Sequence, residues 1–275
     1  MATEVRKVDY LLYEPEEETG ILWIRMNRPE RLNALMPDTE ELICEYMEAG
    51  DNDPRIRVIV LTGNGRAFCA GADMKGAGEN SEPEAQRWTG PDASRARFVH
   101  ESYTKYTRIT EIRKPTIAML NGAAVGRGMD MALRCDIRMG CENTRFFTYQ
   151  NLGQIIENGG MYYLPKLMGL GRSLEFLFTG GFLTADDAYR TGVINHLVPS
   201  EDLEKETRAL CQKIVDSPPM VQWVGKRIMR RALDSDIHTV QDLCANASGI
   251  FGGSFDAGEG RAAFLEKRRP VYQGR

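Results

Sequence analysis

Histidine is scarce in this sequence: His100, His196 and His238 are the only three among 275 residues. They are scattered, so a nucleophile activated by histidine, as in Ser-His-Asp or Cys-His hydrolases, has little support. The six cysteines form no C-x-x-C pair and have no histidine at metal-ligand spacing. We therefore expect no metal site, and we expect reduced thiols in a cytoplasmic compartment.

The sequence also lacks an apolar run long enough to span a bilayer, and no secretory signal opens it, so we expect no membrane partner. Basic residues are not in excess, because the formal net charge is −4. This argues against nucleic-acid binding, which needs a basic patch or stripe. One basic cluster, residues 226–231, predicts mostly a solvated helix face, with a partner or ligand-phosphate site as the alternative.

Apolar runs alternate with helical patterns through the first 140 residues. Residues 10–13 and 21–26 bracket an acidic turn that contains glycine, which predicts a hairpin. Residues 58–61 are a continuous apolar run, typical of a strand buried on both faces of a parallel sheet, and residues 116–120 form a further strand. The alternation of strands with helices predicts an α/β fold with a mostly parallel sheet.

Two turns rich in glycine and alanine, residues 63–74 and 122–133, each follow a predicted strand and contain an acidic residue. The second turn runs into a helix-like segment that carries Asp130. A helix N-terminus exposes backbone N–H groups and favours negative charge. An isolated turn of this kind is most often only a connection between a strand and a helix.

The last third of the chain differs in composition from the α/β part. Thr184 and Asp187 have the spacing of a capping box at the start of a helix. Beyond Pro199 almost every residue falls in a helical pattern, and we place a boundary near residue 200. Helices are predicted over residues 203–215, 221–233, 237–251 and 258–267.

Seven segments resemble, in order along the chain, motifs of the enoyl-CoA hydratase/isomerase family, the crotonases. They are residues 27–35, 65–73, 114–118, 121–123, 126–136, 183–192 and 263–268. The resemblance implies an α/β, crotonase-like spiral of ββα units with an α-helical C-terminal trimerisation region. Residues 1–200 would form the spiral core with the CoA and active sites, and residues 201–275 the oligomerisation region. Coenzyme A would enter as the substrate thioester, without a further cofactor.

The resemblance assigns an oxyanion hole to the two glycine-rich turns. In this family two backbone N–H groups grip the thioester carbonyl oxygen while the α-carbon gains or loses a proton. The matching positions are Ala72 and Arg127. Physical chemistry agrees, because a developing enolate needs preorganised donors. The family usually has glycine where Arg127 stands, so its side chain points either to solvent or a salt bridge, or to the ligand.

The acidic residues decide which reaction is predicted. Hydratases of this family use two glutamates, and the matching positions here hold Asp130 and either Tyr149 or Gln150. Glu157 resembles the acidic residue of Δ3,Δ2-enoyl-CoA and dienoyl-CoA isomerases. We therefore predict Glu157 as the main acid/base and Asp130 as its partner. The alternatives are a charge at a helix start for Glu157 and a satisfied structural acid inside a helix for Asp130.

Further ligand contacts follow from the same resemblance. The predicted acyl pocket contains Trp88, Tyr149, Gln150 and Tyr162. The predicted CoA contacts are Arg31, Leu32, Ala70, Asp73, Met74, Lys75 and Lys267.

The sequence thus predicts an enzyme, a lyase or isomerase of fatty or aromatic acid metabolism. It would isomerise or hydrate an unsaturated acyl-CoA through an oxyanion-stabilised enolate, as a homotrimer or homohexamer. One alternative is a hydrolase of the same fold that cleaves a thioester or a C–C bond. Another is a non-catalytic acyl-CoA-binding protein.

Overall fold

The computed structural model describes residues 5–73, 102–153, 155–156 and 159–275. Residues 76–96, whose glycine, glutamate, asparagine, serine and proline predict a loop, lie outside them. The strands are β1 Leu11–Glu16, β2 Ile21–Met26, β3 Val58–Gly63, β4 Ala67–Cys69, β5 Thr116–Leu120, β6 Ala123–Val125, β7 Ile137–Gly140, β8 Arg145–Phe147, β9 Leu183–Thr184 and β10 His196–Leu197. The helices are α1 Thr39–Asn52, α2 Ser102–Glu111, α3 Arg127–Arg134, α4 Gly160–Met168, α5 Leu170–Thr179, α6 Ala185–Arg190, α7 Leu203–Val215, α8 Pro219–Ala232, α9 Ile237–Phe251 and α10 Phe255–Glu266.

The larger sheet has the strand order β1-β2-β3-β5-β7-β10. Its first two strands form the predicted antiparallel hairpin, and every other neighbouring pair is parallel. All six residues of β3 are buried, as predicted for a strand between two parallel neighbours. The α/β prediction and the mostly parallel sheet are confirmed.

Alternate residues of this sheet enter two different apolar clusters, because successive side chains point to opposite faces. Ile59 and Leu61 pack with residues of α1 and α3 on one face. Val58 and Val60 pack on the other face with Leu203 and Cys211 of α7. The first helix beyond residue 200 therefore covers one side of the sheet.

A smaller sheet, β4-β6-β8-β9, was not predicted. Its strands β4 and β6 lie inside the two segments that sequence analysis treated as glycine-rich turns. They are three residues long and contain small side chains, so neither their length nor their composition signals a strand. β4, β6 and β8 pair in parallel, and β9 is antiparallel to β8.

The sequence predicts a cap at two helix starts: Thr184 before α6, and Asp38, which follows Pro37 and precedes an amphipathic segment, before α1. One of the two has its cap. The Thr184 hydroxyl accepts a hydrogen bond from the Asp187 amide at the start of α6, as predicted. Asp38 makes no such bond to α1, because its carboxylate accepts from the Tyr10 hydroxyl at 2.8 Å and pairs with Arg6 at 3.1 Å. The position before the helix was right, but its side chain serves a different contact.

Ion pairs to one carboxylate hold helix α8 against the α/β part. Asp136, just before β7, contacts Lys226 at 2.6 Å and Arg230 at 2.7 Å. Two cations of the basic cluster therefore face the protein, and only Arg227 and Arg231 are exposed as predicted. In the part of the chain that the structure describes, no helix combines the length and the apolar composition needed to cross a membrane.

All six cysteines lie in the part of the chain that the structure describes, and no disulfide joins any two of them. Five of them are buried and Cys244 is exposed.

Removing the charge of Asp136 should loosen α8. Burial opposes ionisation of Asp136, but Lys226 and Arg230 outweigh it and hold the pKa below its ordinary value. Asp136→Asn leaves both cations without their carboxylate and should lower the free energy of unfolding by about 3 kcal/mol. Urea denaturation at pH 7 measures this loss.

The difference between wild type and Asp136→Asn should depend on pH. A depressed carboxyl pKa stabilises the fold above the unfolded-state pKa, about 4, and that stability is lost as the pH falls through the folded-state pKa. Asp202→Asn is the control, because its ion pair with Lys205 is exposed and should be worth less than about 1 kcal/mol. An equal effect of the two substitutions would contradict the assignment.

Candidate active site

The pairing of β4 with β6 places two turns side by side. Cys69 of β4 lies opposite Ala124 of β6 in a parallel register. Ala72 and Arg127 each lie three residues beyond this pair, so both follow the same ends of neighbouring strands. The structure thereby brings together the two residues predicted to form the oxyanion hole.

Both residues present a backbone N–H for which the described part of the chain offers no acceptor. In the bridge between Leu35 and Ala72, the Leu35 amide donates to Gly71 O at 2.7 Å and the Asp73 amide donates to Leu35 O at 3.0 Å. In this pattern the Ala72 amide points away from Leu35, to the opposite side of its strand-like segment. Arg127 is the first residue of α3, where amides have no partner within the helix. Among the described residues, neither amide donates to backbone or side chain.

Glycine is required immediately before each of these amides. Gly71 has φ +84° and Gly126 has φ +51°, values in the left-handed region that favours glycine. A Cβ atom on Gly71 would lie 2.8 Å from Val125 O, and one on Gly126 would lie 2.9 Å from the Tyr149 ring. The two turns therefore approach each other and Tyr149 too closely for any side chain.

An early loop, residues 28–35, packs against the first turn. The Ala70 amide donates to Leu32 O at 3.0 Å, which joins the loop to the end of β4. The predicted CoA contacts Arg31, Leu32, Ala70 and Asp73 thus lie in two bonded segments. The Asp73 carboxylate is paired with Arg28 at 2.9 Å, so it also holds the loop.

Of the remaining predicted CoA contacts only Lys267 lies in the described part of the chain, and no described contact joins it to the two turns. Lys267 directly follows α10, is exposed, and its backbone amide donates to Phe264 O of that helix. Met74 and Lys75 lie outside the described residues, as does Trp88 of the predicted acyl pocket.

Asn33 supports the site and was not predicted as a site residue. It is 2% exposed and has φ +56°. Its side chain accepts from the Arg28 amide at 2.9 Å and donates to Asn64 O at 2.9 Å and Ala67 O at 2.8 Å. The signal in the sequence was an Asn in a turn, since Asn is among the few residues that tolerate positive φ.

Asp130 has a structural partner that the sequence did not show. Its carboxylate is 2% exposed, and Oδ1 accepts the Gly160 amide at 2.9 Å at the start of α4. This contact supports the alternative of a satisfied structural acid inside a helix. It also links α3, which begins with Arg127, to the start of α4. The catalytic role of Asp130 stays a prediction, and Glu157 lies outside the described residues.

The three described residues of the predicted acyl pocket lie in different parts of the structure. Tyr149 lies against both turns, and its hydroxyl donates to Ala70 O at 2.6 Å. The side-chain amide of Gln150 donates to Phe176 O at 3.1 Å, which holds this side chain to α5. The Tyr162 hydroxyl donates to Asp234 beyond α8, and the Tyr162 side chain has no described contact with the two turns.

Two of the side chains beside the amides, Tyr149 and Cys69, are neutral. Burial raises the pKa of the Tyr149 phenol and raises that of the Cys69 thiol to about 12, so both keep their protons at neutral pH. Within the described ranges no three His, Cys, Asp or Glu residues are grouped as metal ligands would be. A carbonyl oxygen that gains negative charge between the two turns would find two fixed donors at the positive end of α3.

A parallel α/β sheet with two amides on adjacent turns, neither bonded to any described residue, is typical of enzymes that stabilise an enolate or another oxyanion. The family model described as enoyl-CoA hydratase/isomerase matches residues 16–275, so the chain belongs to this family, the crotonases. The predicted family, its fold class and a hydratase/isomerase type of enzyme are thereby confirmed.

Curated relatives and solved structures match this chain over nearly its full length. The chain is 31% identical to a crotonyl-CoA hydratase of Syntrophomonas wolfei, over 95% of this chain and 97% of the relative. It is also 31% identical to a 1,2-epoxyphenylacetyl-CoA isomerase of Escherichia coli, over 94% and 97%. An enoyl-CoA hydratase subunit from Geobacillus kaustophilus has a TM-score of 0.85 at 33% identity, over 97% of this chain and 98% of the other.

Asn33→Ala should destabilise the loop and the site together. The substitution leaves the Asn64 and Ala67 carbonyls without this donor and forces alanine into positive φ, so unfolding should become easier by about 2–4 kcal/mol. Thermal and urea denaturation check this. Asn143→Ala is the control, because Asn143 is exposed and its side chain donates to its neighbour Glu142. A similar loss there would contradict the role of Asn33.

Proposed function

We propose that this enzyme shifts the double bond of an unsaturated acyl-CoA thioester through an enolate whose oxygen is held by the Ala72 and Arg127 amides. The observation that supports this most is the pair of N–H groups on adjacent turns, which donate to no residue that the structure describes. In a well-studied enzyme the loss of one such donor lowers the rate by about 10²–10³. A backbone pair is preorganised, so it stabilises the transition state without rearrangement.

We propose Glu157 as the main acid/base and Asp130 as its partner. A base removes a proton from the α-carbon of a 3-enoyl thioester, and the electrons of that bond move into a dienolate. The proton then returns at the γ-carbon, which gives the 2-enoyl thioester. Glu157 is three positions before Gly160, whose amide binds Asp130.

Hydration of a 2-enoyl thioester is the second candidate, and one observation makes it the weaker one. Hydratases of this family hold water with two glutamates, and one candidate for the second position is Tyr149. Its phenol is bound to Ala70 O and stays protonated, so it cannot replace a carboxylate as a base. The named relatives include both a hydratase and an isomerase.

Coenzyme A enters, in this proposal, as part of the substrate, and the reaction needs no resident cofactor or metal. Arg31, Leu32, Ala70 and Asp73 lie in the two bonded segments that would meet it. Met74, Lys75 and Lys267 are proposed contacts from sequence matching. We also propose a cytoplasmic location, which the six free thiols support.

Product analysis and two substitutions test the reaction. With 2-enoyl-, 3-enoyl- and dienoyl-CoA substrates, mass and ultraviolet spectra should show double-bond movement without a mass change. Hydration would instead add the mass of one water. Glu157→Gln should lower kcat by about 10²-fold or more, because it removes the acid/base. Asp130→Asn keeps an oxygen for the Gly160 amide, so it should remain folded and lose less activity.

The control and the contrary outcomes are defined for the same assays. Glu45→Gln, on the exposed face of α1, should keep full activity. Full activity of Glu157→Gln would refute the assignment of the acid/base. Release of free CoA or of a cleaved acid would favour the hydrolase alternative. Tight CoA binding without turnover of any thioester, unaltered by removal of both acids, would favour a non-catalytic binding protein.

We further propose that the chain assembles as a homotrimer or as a dimer of trimers. Large apolar side chains are exposed on α5 and on the C-terminal helices, and such surfaces mark sites of protein association. They include Leu170, Leu174, Phe178, Ile237, Ile250, Phe255, Phe264 and Leu265.

Light scattering and native mass spectrometry measure the assembly. The mass should be three or six times the 30.9 kDa of one chain. Phe264→Asp places a charge on a side chain that is 82% exposed, and it should shift the protein toward the monomer. A matched change at a polar exposed site, Asn143→Asp, should leave the mass unchanged. A monomeric wild type would refute the proposal.

A further inference from the structure

One side chain touches both turns of the candidate oxyanion hole. The Tyr149 ring lies beneath Gly126, because a Cβ on that glycine would be 2.9 Å from Cε2 and 3.0 Å from Cδ2. The same edge of the ring lies beneath Gly71, where a Cβ would be 3.3 Å from Cε2 and 3.5 Å from the hydroxyl. Gly71 immediately precedes Ala72, and Gly126 immediately precedes Arg127.

The tip of this side chain is also fixed. The phenol donates to Ala70 O at 2.6 Å, two residues before the Ala72 amide. The base of the side chain is held as well, since Phe147 O accepts the Gly126 amide at 2.9 Å and the Phe147 ring contacts the Tyr149 ring edge-on. The ring can therefore neither tilt nor withdraw without moving a turn.

We propose that Tyr149 is a positioning residue that sets the separation and direction of the Ala72 and Arg127 amides. It acts through the backbone: the hydroxyl holds one turn and the ring supports the other. This inference rests on the proposed function, because the two amides must stabilise an enolate for their spacing to affect the rate.

The hydrogen bond and the ring make separable contributions. Tyr149→Phe keeps the ring under both glycines and removes only the bond to Ala70 O. Tyr149→Leu removes the flat surface as well. Since small displacements of catalytic groups are costly to rate, we expect kcat to fall about 10-fold in the first variant and about 100-fold in the second. KM should change less than about 2-fold, because the interaction that is lost develops in the transition state.

A spectroscopic measurement reports the amides directly. A conjugated aryl-enoyl-CoA changes its absorption when hydrogen bonds polarise its thioester carbonyl. Bound to the wild-type protein at saturation, its band should move to longer wavelength. The shift should shrink in Tyr149→Phe and be smallest in Tyr149→Leu, in the same order as kcat.

Tyr46→Phe is the matched control. Its phenol also donates to a backbone carbonyl, that of Arg6, but it lies on α1 away from the two turns. This variant should keep the wild-type kcat and band shift. Equal losses in Tyr46→Phe and Tyr149→Phe would overturn the inference, since they would reflect a general loss of stability.

Two further outcomes distinguish the inference from the function on which it rests. If the wild type turns over the thioester and shifts the band, but Tyr149→Phe and Tyr149→Leu do both equally well, the positioning role is wrong and the proposed function stands. If the wild type binds the chromophore with neither a band shift nor turnover of any thioester, the oxyanion hole is wrong and both proposals fall.

Discussion

The parallel register between β4 and β6 is the constraint on which the candidate site depends. Because Cys69 lies opposite Ala124, the three residues that follow each of them run side by side, and the Ala72 and Arg127 amides lie on adjacent turns. A slip by one residue would move one amide by about 3.3 Å, more than a hydrogen bond tolerates. The glycines before Ala72 and Arg127 are consequences of that register, because the turns pass each other at backbone contact distance.

Polar contacts, some buried and some partly buried, help to hold the parts of this site in place. Asn33 ties the early loop to two segments, and Tyr149 ties Ala70 to the turn before α3. Asp130 joins α3 to the first residue of α4. Such bonds are directional and costly to leave unmade in a buried position, so they specify one arrangement of the loops. Apolar contacts alone would permit several.

Asp130 illustrates how one group can serve both structure and chemistry. A carboxylate has two oxygens with about four acceptor sites, so binding the Gly160 amide does not exhaust it. The same bond fixes the carboxylate relative to the start of α3, where the Arg127 amide lies. The structural and catalytic interpretations of this residue are therefore compatible, and the contact with α4 would orient the acid that the chemistry needs.

The sequence by itself determined the hairpin, the buried strand β3, β5, most helices beyond residue 200, and the family, because their hydrophobic periods and motifs are local. It also identified the residues of both turns. Only the tertiary structure revealed that β4 and β6 are strands and that Asp38 does not cap α1. It also showed that Lys226 and Arg230 bind Asp136. Finally, it showed that Tyr149 joins both turns, whereas Tyr162 binds Asp234. The physical reason is that these contacts join residues far apart in the chain. A short segment of polar or small residues has no hydrophobic period from which its distant partner could be predicted.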